Sequence, residues 1–362
     1  MKSKRCVMFL IALWAALVLG NWLLPDKAES EAERRPLAQL PELSVKTVLS
    51  GSFMDRFEIY TLDQFPLRDS FRGLKALFHT YGLGQQDTNG IYISEGYAAK
   101  MEYPLNQASL NHALGRFNYL YQKYLGDSKV YMAVVPDKNY YLAQDSGRLS
   151  LDYETLFARV QTEMPWAEYI DLTDSLSLED YYRTDTHWRQ ERLLEAVGTI
   201  CEAMGTAVPK AGDFTPVALE KPFLGVYRGQ AALPMGTDTL YLMESEALKR
   251  CRVYDHETGK EFPVYDLEKI NSKDLYDVYL GGARALLTIE NPGAATEEEL
   301  IVFRDSFGSS MIPLLAANYA KVTVVDIRYI GIDLLDRFVE FSGQDVLMLY
   351  STLILNSSSA IK

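Results

Sequence analysis

Asp185, His187 and Ser306 are the residues whose types could do chemistry together. A histidine can take the proton of a serine hydroxyl, and a carboxylate can hold that histidine in the useful tautomer. Such a set performs acyl transfer and is recognised by geometry and role, not by order along the chain. The histidine stands in Asp185-Thr186-His187-Trp188 and the serine in Arg304-Asp305-Ser306-Phe307-Gly308. In an extended segment, side chains two apart point the same way. Asp185 would then reach one ring nitrogen of His187 and leave the other for a serine. The rival reading makes Asp185 a helix cap, His187 a polar surface residue and Trp188 a packing anchor. A metal centre is the weaker alternative. Two ligands fall short of the three or four protein ligands zinc takes, and His79, His112 and His256 have no ligand-spaced partner.

The elements around these blocks follow from apolar spacing. Glu299 to Arg304 is a short, apolar, β-branched run after the turn signal Asn291-Pro292-Gly293, which predicts a buried strand. Asp305 to Ser310 breaks it, and Met311 to Tyr319 predicts a helix in which Pro313 is tolerated only in the first turn. Ser306 is thereby expected at the carboxyl end of a strand, just before a helix N-terminus, where free N–H groups can hold an oxyanion. Read alone, the same segment is also a helix start rich in capping residues. Leu193, Leu194, Val197, Ile200, Cys201 and Met204 recur at helical spacing, so a helix follows Trp188. Strands are expected at 130–135, 169–172, 322–326 and 346–350, and helices at 151–164 and 332–341. The segment 45–83 reads as helical. This alternation predicts an α/β fold with a parallel sheet covered on both faces and its site at the carboxyl ends of strands. Residues 205–298 break the rhythm and read as a β-rich insertion. Its tyrosines, such as Tyr227, Tyr241, Tyr254, Tyr265, Tyr276 and Tyr279, either stack on sugar rings or serve as ordinary strand residues.

The two chemical blocks resemble those of the DHHW protein family and, more distantly, of the alginate O-acetyltransferase proteins with an SGNH hydrolase-like fold. Further motifs fall in the family's order: Phe57-Glu58-Ile59-Tyr60 with Asp63-Gln64-Phe65-Pro66-Leu67-Arg68-Asp69, Asn89-Gly90-Ile91-Tyr92-Ile93, Val135-Pro136-Asp137-Lys138, Gly281-Gly282 and Val325-Asp326-Ile327-Arg328-Tyr329. The resemblance runs from about Leu49 to the C-terminus. It implies Ser306 as nucleophile, His187 as base and Asp185 as its partner, with the Asp/His block ahead of the serine. Backbone N–H groups around Ser306, with Phe307 and Arg328, are the candidates for oxyanion and substrate binding. The chain departs from the pattern at three places: Thr186 stands where the family name has a second histidine, Arg304 replaces the glycine of Gly-Asp-Ser, and Ala283 follows the glycine pair where an asparagine is common.

The 362 residues carry a net charge of −13, which argues against nucleic acid because phosphate binding needs clustered Lys and Arg. Cys6, Cys201 and Cys251 form no disulfide framework, and Cys201 and Cys251 read as free buried thiols. Lys2, Lys4 and Arg5 precede an apolar stretch from Val7 to Leu24, about 27 Å as a helix against a hydrocarbon core of about 30 Å. Residues 1–24 are expected to be a signal anchor, with a cleaved signal peptide as rival, and either places the body outside the cytoplasm. Residues 25–44 read as a charged linker and 45–362 as the catalytic domain.

The leading expectation is an extracytoplasmic O-acetyltransferase of a cell-surface polysaccharide, working through an acetyl-serine and needing no cofactor or metal. By resemblance its acetyl donor is a membrane-bound O-acyltransferase partner. An esterase with the same triad and a non-catalytic glycan-binding or cell-envelope protein are the alternatives.

Overall fold

The computed structural model describes residues 2–362. Contacts divide the chain into two units: one runs to Asn89 and takes in Arg228–Met235, the other holds Gly90–Tyr227 and Gly236–Lys362.

In the first unit the helix Lys2–Leu23 buries none of its described side chains, and its stretch Lys4–Asn21 is long and apolar enough to cross a membrane. The stretch read as a linker carries a short antiparallel hairpin, β1 (Glu29–Ser30) and β2 (Arg35–Pro36). Arg35 holds Asp63 with two hydrogen bonds of 2.9 and 2.6 Å, and the Ala38 amide donates to the same carboxylate at 2.9 Å. Those bonds keep the Asp63 carboxyl below its ordinary range, Arg35 being the main cause. Three helices follow: Val45–Leu49, Ser52–Asp63 and Arg68–Leu77.

The second unit is built on one eight-stranded sheet with two small hairpins beside it. In chain order its strands are β3 (Ile91–Ser94), β4 (Tyr97–Lys100), β5 (Val130–Val135), β6 (Ala167–Ile170), β7 (Thr215–Ala218), β8 (Tyr241–Glu244), β9 (Arg252–Asp255), β10 (Lys260–Phe262), β11 (Leu286–Glu290), β12 (Glu299–Arg304), β13 (Lys321–Val325) and β14 (Asp345–Ser351). The main sheet has the order β10-β9-β11-β13-β12-β14-β5-β6. From β13 to β6 every pair is parallel, and from β10 to β13 every pair is antiparallel. The 205–298 segment thus supplies the β7–β8 hairpin and also three strands of the main sheet.

Both faces of the parallel part are covered, so the central stretches of its strands are mainly apolar. The two-residue period sends Leu300 and Val302 of β12 into one core and Ile301 and Phe303 into the other. Helices Leu194–Met204 and Gly308–Ala316 line the first core; Gln107–Leu120 and Tyr153–Glu163 line the second. Two expected helices change form. Residues Ile332–Arg337 wind as a 3-10 helix, because buried Ile332 and Leu335 lie three apart and fit a three-residue turn as well as an α-turn. The helix after the serine begins at Gly308, which puts Pro313 inside it rather than in the first turn. It can start that early because residue 308 has no side chain: a Cβ there would lie 2.8 Å from that of Arg304. Pro313 withholds one N–H from the helix ladder.

Candidate active site

Ser306 lies two residues beyond the end of β12, in the turn before helix Gly308–Ala316. Asp305 shapes that turn from below. It is fully buried, and its carboxylate accepts the Phe307 amide at 2.9 Å and the Ser351 amide of β14 at 2.8 Å. An acidic residue at this point therefore ties the serine turn to the neighbouring strand. The Ser306 N–H itself makes no hydrogen bond among the described residues.

His187 reaches the serine from a loop closed by a bridge between Tyr181 and Trp188. Its Nε2 lies 2.9 Å from Ser306 Oγ and its Nδ1 lies 2.7 Å from Asp185 Oδ1. This arrangement fits Nδ1–H donating to the carboxylate and Nε2 accepting from the hydroxyl. Asp185 faces the ring for a reason other than the extended pleat expected. The His187 backbone N–H also donates to Asp185 Oδ1, at 3.1 Å, so an Asx turn folds the carboxylate back onto its own neighbour. The second oxygen accepts the Val226 N–H at 2.8 Å. Asp185 is fully buried, His187 nearly so, and Ser306 is the partly exposed member.

Other residues hold the histidine loop against the serine turn. Trp188 Nε1 donates to the Phe307 carbonyl at 3.0 Å and to Ser310 Oγ at 2.9 Å, and Gln190 Nε2 donates to the Ser310 carbonyl at 2.7 Å. Trp188 is thus more than a packing anchor. Tyr276 lies flat on the His187 ring, 3.9 Å between centroids and 9° between planes, and its hydroxyl meets Ser310 Oγ at 2.7 Å. Burial pushes the Tyr276 phenol well above its ordinary value, so it stays neutral beside the imidazole. The Phe307 ring packs tilted against His187 at 5.0 Å. Gly225 closes the back: a Cβ there would sit 2.1 Å from the Thr184 carbonyl group and 2.3 Å from the Asp185 amide.

Arg328 is committed elsewhere, to Asp326, through bonds of 2.8 and 2.6 Å. Among the described residues no hydrogen bond joins it to Ser306 or His187. The Phe307 amide is likewise taken by Asp305. Arg304, which stands where the resemblance expects glycine, is buried beneath the turn. It donates to Ser309 Oγ at 3.1 Å, to the Asp305 carbonyl at 3.3 Å and to the Gly282 carbonyl at 3.4 Å. It therefore links the Gly281–Gly282 loop to the serine turn. Gly282 needs its glycine: φ is +83°, and a Cβ would lie 2.3 Å from Asp277. Ala283 is exposed and Thr186 bonds the Tyr227 hydroxyl at 2.9 Å.

Lys138 is buried in the same unit. Its Nζ donates to the Tyr182 carbonyl at 2.8 Å and lies 5.1 Å from the centre of the Tyr227 ring. Burial pulls its ammonium down to about 7, against the attraction of Asp185, Asp238 and Asp137. Of the tyrosines considered for sugar stacking, Tyr227, Tyr265, Tyr276 and Tyr279 are buried and serve the core; Tyr254 is exposed. Cys201 and Cys251 are free and buried.

The class of fold is thus mixed α/β, with a serine just past a central strand of the parallel part of the sheet and the Asp185/His187 block earlier in the chain. The chain belongs to the DHHW protein family, whose model matches residues 117–325. The fold is similar to that of a DHHW family protein from Eubacterium siraeum DSM 15702, at 20% identity and a TM-score of 0.62 over 76% of this chain and 95% of that one. It is also similar to PatB1 of Bacillus cereus, solved with a sulfonyl adduct, at 18% identity and a TM-score of 0.57 over 73% and 95% of the two chains. The O-acetyltransferase domain of Pseudomonas putida AlgJ aligns at 13% identity with a TM-score of 0.44, over 74% and 92%. No curated protein matches the chain in sequence.

Proposed function

We propose that the protein is an extracytoplasmic O-acetyltransferase of a cell-surface polysaccharide, with Ser306 as nucleophile, His187 as base and Asp185 as its orienting partner. The observation that carries this reading is the chain of hydrogen bonds Asp185–His187–Ser306, with only the serine partly open to solvent. In the first half-reaction Ser306 Oγ attacks the acetyl carbonyl while His187 Nε2 takes its proton. The leaving group departs with that proton, and an acetyl ester remains on Ser306. A sugar hydroxyl then attacks the ester, giving its proton to His187, which returns it to the departing Ser306 oxygen. Asp185 holds the ring and stabilises its charged form. The free Ser306 N–H is the backbone donor offered to the oxyanion, and losing one such donor typically costs about 100- to 1,000-fold in rate.

The N-terminal helix is read here as the anchor that keeps the body outside the cytoplasm. Acetyl-CoA is made on the other side, and one crossing helix cannot carry an acetyl group through a bilayer. The donor is therefore assigned to a membrane-bound O-acyltransferase partner. The test is turnover of an activated acetyl ester by the full chain in detergent, with and without polysaccharide acceptors. Acetylated glycan is the expected product. Release of acetate alone, unchanged by any acceptor, would make the protein an esterase.

A further inference from the structure

Helix Arg68–Leu77 faces the wrong way for a soluble protein. A surface helix normally turns its apolar stripe to the core and its charges to water. Here Arg68 and Arg72 turn inward to Glu33, at 2.6 and 3.2 Å, and the large apolar side chains turn out. Leu67, Phe71, Leu74, Phe78 and Tyr81, spaced four and three apart along the helix and its continuation, are between 44 and 78% exposed. The neighbouring helices add Val45, Leu49 and Leu62, all more than half exposed. Residues 40–83 hold five basic and five acidic side chains, a net charge of zero in a chain of −13. The segment is thus apolar outside and electrically neutral where the rest of the protein is acidic.

Its position in the first unit says what covers it. The end of the N-terminal apolar helix is tied to the corner just ahead of the stripe. A Cβ at Gly20 would lie 3.3 Å from the Pro66 ring, the Lys27 amide donates to Gln64 Oε1 at 2.9 Å, and the Tyr60 hydroxyl donates to Asp26 at 3.0 Å. The candidate span is Lys4–Asn21. If that helix crosses a bilayer, Pro66 sits at the outer edge of the hydrocarbon, and the stripe begins at the next residue. A four-and-three spacing alone also suits a partner helix. The exposed apolar surface is wider than such a seam, however, since it spreads over the adjacent helices as well. We infer that the 45–81 helices lie in the outer interface of the same bilayer, apolar side down, as a second attachment beside the N-terminal helix. The inference rests on reading that helix as a membrane span. Its consequence is mechanical: the segment after the span is held flat at the lipid surface instead of swinging on a free tether.

The test uses the full chain with Cys6→Ser in lipid nanodiscs, its intact mass first showing that the N-terminal helix is retained. An environment-sensitive fluorophore is placed at Leu74→Cys, at Leu13→Cys within the apolar helix, and at the exposed body residue Leu149→Cys. The discs carry lipids brominated near the headgroup end or near the chain end. We expect the Leu74 label to shift blue and to lose most of its emission to headgroup-end bromines, the Leu13 label to respond to deep bromines, and the Leu149 label to respond to neither. A quenched Leu13 label beside an unquenched Leu74 label overturns the inference and leaves the span intact. A Leu74 label shifted blue but unquenched also overturns it, because a protein then covers the stripe. An unquenched Leu13 label removes the span itself, and the inference falls with it.

Discussion

At the residue scale, the site is a set of hydrogen bonds whose partners are each fixed from a second direction. Asp185 accepts from His187 twice and from Val226 once. Asp185→Asn leaves the loop bonds largely in place but offers an amide N–H or a weaker acceptor to the ring. An ester-hydrolysis rate lower by roughly 10,000-fold, with little change in melting temperature, is expected. A loss below tenfold would mean that Asp185 only shapes the loop. Lys138 gives a separate reading through pH. Its folded-state value is lowered to about 7 from an ordinary 10.5. Below about 7 both folded and unfolded chains hold the proton. Between those values the unfolded chain holds more protons, so this group's contribution to stability rises with pH across the window. Wild type should therefore gain urea resistance relative to Lys138→Met between about pH 7 and pH 9. A difference that does not move with pH contradicts the buried, weakly basic lysine.

At the element scale, the strand–turn–helix around Ser306 is legible in sequence because its causes are local: a β-branched apolar run, a polar break, an apolar helix. Glu299–Arg304 is a strand over the residues expected. The Asp185–His187 neighbourhood is legible too, although its physical cause is an Asx turn rather than strand alternation. What is not legible arrives from far along the chain. Tyr276, Gly225 and Val226 reach the histidine loop from elements 41 or more residues away, and no local pattern marks them. Arg304 also escapes a local reading: a buried arginine under the serine turn is explained by the Gly282, Asp305 and Ser309 oxygens it meets and by the buried Asp326 carboxylate 3.8 Å away. Two glycines separate close approach from ordinary helix. Gly225→Ala must push backbone against backbone, so a loss of about 1–3 kcal/mol in unfolding free energy is expected, with activity falling as Asp185 shifts. Gly115, inside helix Gln107–Leu120, has open space around its Cβ direction. Gly115→Ala should stabilise by roughly 0.5–1 kcal/mol without touching activity. Equal effects at the two positions would contradict the close approach at Gly225.

At the scale of the whole molecule, an acidic chain begins with an apolar helix, and Ser306 lies at the carboxyl end of the parallel part of the sheet; on the proposed function this arrangement serves acyl transfer beside a membrane. On the same reading the sheet supplies rigidity and the loops after its strands supply the reacting groups, as in other open α/β sheets. On the proposed function, cells lacking the acyltransferase partner should lose polysaccharide acetylation as fully as cells carrying Ser306→Ala, read as ester content of the isolated glycan. Full acetylation in the partner's absence would mean that the donor reaches Ser306 by another route.

The most direct measurement is the intact mass of the full chain after brief exposure to an activated acetyl ester, followed by peptide mapping, beside Ser306→Ala and His187→Ala. A single acetyl group on the peptide carrying Ser306, absent from both variants, is the predicted result. An adduct that persists in folded Ser306→Ala, or no adduct on a folded wild type that also resists a sulfonyl fluoride, would contradict the assignment of Ser306 as the nucleophile.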